Sequence, residues 1–142
     1  MSQNLGEEPM DYESGIAVAT IWQEARGRNC SAQERRLIAQ TIKNRTRMRY
    51  CSDGTVVGTC LWNLQFSGWS ERSIIIKSLT AVSADSASDL LDDWNLGEPE
   101  YPNVVNYYSP ASMTPPGAVP RWAVGRTPIL TTANFRFYDA LS

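Results

Sequence analysis

The sequence predicts a mainly α-helical single domain over residues 1–142, with a small extended or hairpin region and a proline-rich loop region near the C-terminus. Three observations predict it. Apolar residues recur at helical spacing through Gly15–Gln23 and again at Leu37, Ile38 and Ile42. Ser31 followed by Glu34 is a capping box at the head of the second of these stretches. Six of the eight prolines fall from Pro102 onward, which rules out long regular elements there and predicts a folded loop region.

The elements follow in order. Asp11 or Ser14 starts a first helix, Ala17, Val18, Ile21 and Trp22 give it a buried side, and Gly27 stops it. Ser31 caps a second helix with Leu37, Ile38, Thr41, Ile42 and Arg45 along one side, ended by Arg47–Arg49 and the Cys51-Ser52-Asp53-Gly54 run. Thr55–Cys60 fits either a short helix or an extended piece. The alternation of aromatic and polar residues in Trp62–Trp69 reads as a loop that both packs and meets a ligand. Ser73–Leu79 and Ala84–Leu96 read as helices, the latter with Leu90, Leu91 and Trp94 on its apolar side and Gly97 at its end. Ile74, Ile75, Leu90 and Leu91 read as core.

Length and composition narrow the function. A chain of 142 residues, 42% hydrophobic and 20% charged, suits one globular domain, and no apolar run is long enough to span a bilayer. The opening MSQNLGEEPMDYES is acidic and polar, unlike a secretory signal. Histidine is absent, which removes His-ligated zinc enzymes, Ser-His-Asp hydrolases and Cys-His peptidases. Cys30, Cys51 and Cys60 are too few for an all-thiolate zinc site and read as reduced thiols, although Cys51 and Cys60 bracket the Asp53-Gly54 turn and could approach each other. No metal or cofactor is expected.

Charge is segregated within a net of −2. Ile21–Tyr50 holds eight basic residues against Glu24 and Glu34, while Glu71–Glu100 holds seven acidic residues against Arg72 and Lys77. Such a division either steers an anionic polymer to one face or reflects two helical faces in mutual contact. Both readings stand at this point.

Chemistry that survives the loss of histidine is glycosidase chemistry, which needs carboxylates. Glu24 is the only carboxylate of its segment and sits where the first helix ends, among Ile21, Trp22 and Ala25. An apolar wall there, to which Trp22 contributes, would resist ionisation and let Glu24 protonate a glycosidic oxygen. A solvated glutamate at a helix end is the plainer alternative. Trp69 and Trp122 offer flat faces to sugar rings or serve as packing anchors.

The ordered segments IWQEARG, TIKNR, QFSGW, NYYSPASM, PRWAVGR and NFRFY, from Ile16 to Tyr138, resemble the SleB-type cell wall hydrolase family, which includes spore cortex-lytic enzymes and many phage lysins. The resemblance implies a lysozyme-like, mainly helical domain that cleaves peptidoglycan between N-acetylmuramic acid and N-acetylglucosamine. It implies Glu24 as the catalytic acid and base, as in lytic transglycosylases, where one glutamate first protonates the leaving oxygen and then drives closure of a 1,6-anhydro ring. Gln65, Phe66 and Ser67 match the family's QF(S/T) segment, and Tyr107 and Tyr108 its paired tyrosines. Family members often carry histidine where this chain has Asn134 or Phe135. The implied partner is bacterial peptidoglycan, engaged by a monomer that waits in the host cytoplasm until another protein opens the membrane.

Two alternatives remain. A hydrolytic muramidase of the inverting kind needs a second carboxylate, for which Glu34, Asp53 and Glu71 are candidates. A non-enzymatic nucleic-acid binder would use the Arg-rich second helix, but the acidic later segment offers it no broad positive surface.

Overall fold

The computed structural model describes residues 11–83, 87–96 and 100–141, with Leu64 described by its backbone alone. The chain there is mainly helical, with a small antiparallel sheet formed from its last third.

Helix α1 (Tyr12–Ala25) begins at Asp11, whose carboxylate accepts the Ser14 N–H at 2.7 Å. It is buried on most of its circumference, with Ala17, Val18, Ala19, Thr20, Ile21 and Gln23 all enclosed. A helix apolar nearly all round belongs at the centre of a fold, and α1 packs against every other helix. Trp22, expected on its buried side, is only half-buried. Gly27 ends the helical course at φ +72°, a conformation that costs glycine little.

Helix α2 (Ala32–Met48) carries the expected capping box: Ser31 Oγ accepts the Glu34 N–H at 3.1 Å and Glu34 accepts the Ser31 N–H at 3.2 Å. It ends where Arg49 turns left-handed. Leu37, Ile38, Thr41, Ile42 and Arg45 lie on its buried side as the pattern predicts. The Thr55–Cys60 ambiguity resolves as helix, α3 (Val56–Cys60), capped by Thr55.

Helix α4 (Arg72–Val82) runs past both expected ends. Ile74 and Ile75 are only half-buried, and the enclosed residue of α4 is Ser78. Helix α5 (Ala87–Leu96) buries Trp94 and half-buries Leu90 and Leu91. The expected start at Ala84 and stop at Gly97 lie outside the described residues.

The proline-rich third holds very short strands. They are β1 (Asn106–Tyr108), β2 (Leu130–Thr131) and β3 (Arg136–Tyr138), in the order β1-β3-β2. Tyr107 and Leu130 both pair with Phe137. Between β1 and β2 the chain passes through two 3-10 turns, Pro110–Ser112 and Arg121–Ala123.

Side chains of α2 fasten this third to the helices. Asn44 donates to the carbonyls of Tyr101 and Val104 at 2.9 and 2.8 Å, and Arg45 Nε donates to Val105 O at 2.6 Å, immediately before β1. Glu34 receives Thr132 Oγ1 at 2.6 Å and the Asn134 N–H at 2.8 Å, tying down the β2–β3 turn. The core between these fastenings joins Val18, Ile21, Leu37, Ile38 and Ile42 to Phe66, Trp94, Phe135 and Phe137.

Of the two readings of segregated charge, mutual contact accounts for the middle of α2. Asp93 of α5 takes Arg35 at 2.6 Å and Arg36 at 3.3 Å, and Lys43 donates to Trp94 O while lying over the indole ring. Among the described residues, no helix is long and apolar enough to cross a membrane.

Candidate active site

Glu24 stands in the last turn of α1, and Tyr107 of β1 reaches it across the interior: the phenol donates to Glu24 Oε1 at 2.5 Å. The Tyr107 ring is fixed edge-on to Phe135 at 5.4 Å and tilted against Phe137 at 5.6 Å. Burial pushes the Glu24 carboxyl above the ordinary glutamate range, opposed in turn by the Tyr107 hydrogen bond and by the charges of Arg28, Arg26 and Arg45. Burial and the neighbouring carboxylate also hold the Tyr107 phenol well above its usual range, so it remains a donor. The expected wall from Trp22 is not the one built. Tyr107 and the phenylalanines behind it supply that side.

A cleft of about 570 Å³ opens at Glu24, lined also by Gln23, Arg26, Arg28, Ser67 and Ser112. A volume of this size suits a small ligand or a short piece of polymer. Arg28 is locked in place: it donates to Glu24 O at 2.7 Å, to Ser109 Oγ at 3.2 Å and to Ser112 Oγ, and it lies 5.3 Å from the Phe135 ring centre. It therefore joins the end of α1 to the loop after β1. Arg26 reaches Glu71 at 3.6 Å on the rim.

Gln23 forms a cleft wall, donating to Ser78 Oγ at 3.0 Å. Gly68 lies flat against it. A methyl group on Gly68 would stand 2.6 Å from Gln23 Oε1, so the glycine of QFSGW is required by close approach.

The sequence-predicted residues divide. Glu24 and Ser67 line the cleft together, whereas Tyr107, expected on its wall, bonds to Glu24 without being one of the lining residues. Gln65 is exposed after the Trp62–Leu64 turn, its N–H bonded to Trp62 O, and is not among the residues lining the cleft. Phe66 is corrected from ligand wall to core: it is 2% exposed, with the Arg45 guanidinium 5.2 Å from its ring centre. Trp69 is likewise a packing residue, half-buried against the core with Nε1 donating to Thr20 Oγ1 at 2.9 Å. Tyr108 and Trp122 form a separate aromatic group with Tyr138 on the opposite face of the sheet from Tyr107, since successive strand residues alternate.

Gln23, Arg26, Arg28 and Ser112 were missed as cleft residues. Their signal was adjacency, because all four sit inside or beside the quoted IWQEARG and NYYSPASM segments. Asn134 holds Glu34, and Phe135 backs Tyr107.

The second-carboxylate candidates also separate. Glu34 is enclosed in its clamp, and Asp53 accepts the N–H and hydroxyl of Thr55 in an exposed turn. Glu71 alone of the three touches a residue of the cleft, through Arg26. Among the described residues no group of three or more His, Cys, Asp or Glu is placed to hold a metal ion. No protein-family model, curated protein or solved structure matches this chain.

Proposed function

We propose that this protein cleaves the glycan strand of peptidoglycan between N-acetylmuramic acid and N-acetylglucosamine, as a lysozyme-like lytic transglycosylase of the phage-endolysin type. The observation that carries the reading is Glu24, which lines the cleft and is held by Tyr107, a carboxyl biased by burial toward its protonated form. With Oε1 engaged by Tyr107, the acid proton resides on Oε2. Glu24 gives that proton to the glycosidic oxygen as the bond to C1 breaks and positive charge develops on the sugar. The carboxylate left behind is steadied by the Tyr107 hydrogen bond and the nearby guanidinium of Arg28. It then takes the proton of the muramic acid C6 hydroxyl, whose oxygen bonds to C1 and closes the 1,6-anhydro ring. Glu24 is thereby restored to its starting form.

This route uses one carboxylate, and the engagement of Glu34 and Asp53 elsewhere supports it. The place of Glu71 beside Arg26 favours a second reading, hydrolysis, in which Glu71 helps to activate water. A nucleic-acid reading finds less support, since Arg36, Arg45 and Lys43 are occupied by internal partners. Purified peptidoglycan digested with the full chain tests the proposal: anhydro-muramic ends are expected, reducing ends mean hydrolysis, and intact strands overturn both.

A further inference from the structure

A second hollow, of about 380 Å³, lies beside the Glu24 cleft and is lined by Trp22, Arg26, Arg28, Arg35, Asp89 and Leu90, among others. Arg26 and Arg28 line both spaces, so the two are neighbours. Trp22 precedes Glu24 by two residues, which on a helix turns it to a different side. It therefore lines the hollow and is absent from the cleft.

The charge of the hollow is unbalanced. Its lining includes three arginines against one acidic residue, Asp89, which is exposed. Arg28 gives its hydrogen bonds to serine hydroxyls and backbone carbonyls, which carry no countercharge. Arg35 pairs with Asp93 at 2.6 Å, a carboxylate that Arg36 shares, and donates to Cys30 O at 3.0 Å; Arg26 pairs with Glu71 at 3.6 Å and donates to Gln23 O, so four arginines meet two carboxylates here. The half-buried Trp22 and Leu90 add an apolar wall. Of these residues the cleavage step uses Arg28 alone.

We propose that the hollow is a second subsite that holds the acidic stem peptide borne by muramic acid while the glycan lies in the Glu24 cleft, an inference that rests on the peptidoglycan reading above. The N-acetylglucosamine and N-acetylmuramic acid rings have no anionic group other than those on the lactyl arm and its peptide. The stem supplies carboxylates for the arginines that line the hollow and outnumber their acidic partners. Its alanine methyl groups suit Trp22 and Leu90, and its attachment to the sugar fits a hollow adjoining the cleft.

The experiment titrates full-length Glu24→Gln protein with N-acetylmuramyl-L-alanyl-D-glutamate bearing free carboxylates, and with the same compound amidated at both, by calorimetry. The carboxylate form is expected to bind about tenfold more tightly, with affinity falling as salt rises. Arg35→Gln should weaken it by roughly three- to tenfold and Asp89→Asn should strengthen it. Asp89 is exposed, so that variant remains informative if Arg35→Gln fails to fold. Equal affinity for the two compounds, or unchanged affinity in both variants, overturns the subsite. Wall cleavage by the native protein without this discrimination removes the subsite alone, whereas discrimination without cleavage by the native protein removes the catalytic reading and leaves the peptide site.

Discussion

Glu24 and Tyr107, 83 residues apart, share one short hydrogen bond, and the proposed chemistry of the site rests on it. Glu24→Gln keeps the shape of the side chain but deletes the transferable proton, so activity on purified peptidoglycan is expected to fall by about 10²-fold or more. Thermal unfolding should show the variant folded. Its stability should also depend on pH in a defined sense. The folded-state pKa of Glu24 is raised, so the stability linked to its proton is complete below the unfolded-state value and is lost as pH rises through the folded one. Glu24→Gln should therefore gain stability over the native chain as pH climbs through that window, and equal melting temperatures across it would count against a buried acid. Tyr107→Phe removes the hydrogen bond that favours the carboxylate. The alkaline limb of the activity profile, where the acid loses its proton, should move to higher pH as turnover falls. A limb that stays in place would mean that the phenol does not act on Glu24 during the reaction.

At the scale of elements, α2 is the part that sequence chemistry describes best and the part that holds the site together. Ser31 and Glu34 are three residues apart, so their capping box is a local fact visible in the sequence. The same Glu34 also grips Thr132 and Asn134, which no local pattern announces. Burial alone would raise its carboxyl, but hydrogen bonds from Thr132, Asn134 and Ser31 together hold it below the ordinary range. Ser31→Ala should cost about 1 kcal/mol. Glu34→Ala, which strands several partly buried donors, should cost about 2–3 kcal/mol in chemical denaturation. Equal costs would show that the grip on the β2–β3 turn adds nothing. Glu34's contribution is present above its unfolded-state pKa and fades as pH falls through the depressed folded one. Strands were less legible. The residues of β1, β2 and β3 form runs of two or three, too short for a period to emerge, and choosing between Tyr107 and Tyr108 requires the register with β3. The direction of Phe66 was hidden for a similar reason: it is set by Arg45 and the core beneath it, not by its neighbours in QFSGW.

Across the whole molecule, what histidine's absence implied about chemistry can be tested together with the thiols. Cys30, Cys51 and Cys60 are all free, and burial pushes the Cys60 thiol up to about 12 and raises that of Cys30 as well. A protonated, enclosed thiol such as that of Cys60 is a poor nucleophile and a poor metal ligand. The carboxylates of the described residues are dispersed as well: Glu34 in its clamp, Asp93 between two arginines, Asp53 in a turn and Glu71 on the rim. The proposed reaction needs only the proton of Glu24 and the fixed dipoles and charges around it. Lytic activity should accordingly persist after exhaustive EDTA treatment, and the melting temperature should be the same with and without a thiol reductant. Activity lost in EDTA and restored by one divalent metal would show that a bound ion takes part in the chemistry. A melting temperature lowered by reductant would instead show that two of the cysteines pair in solution and brace the fold.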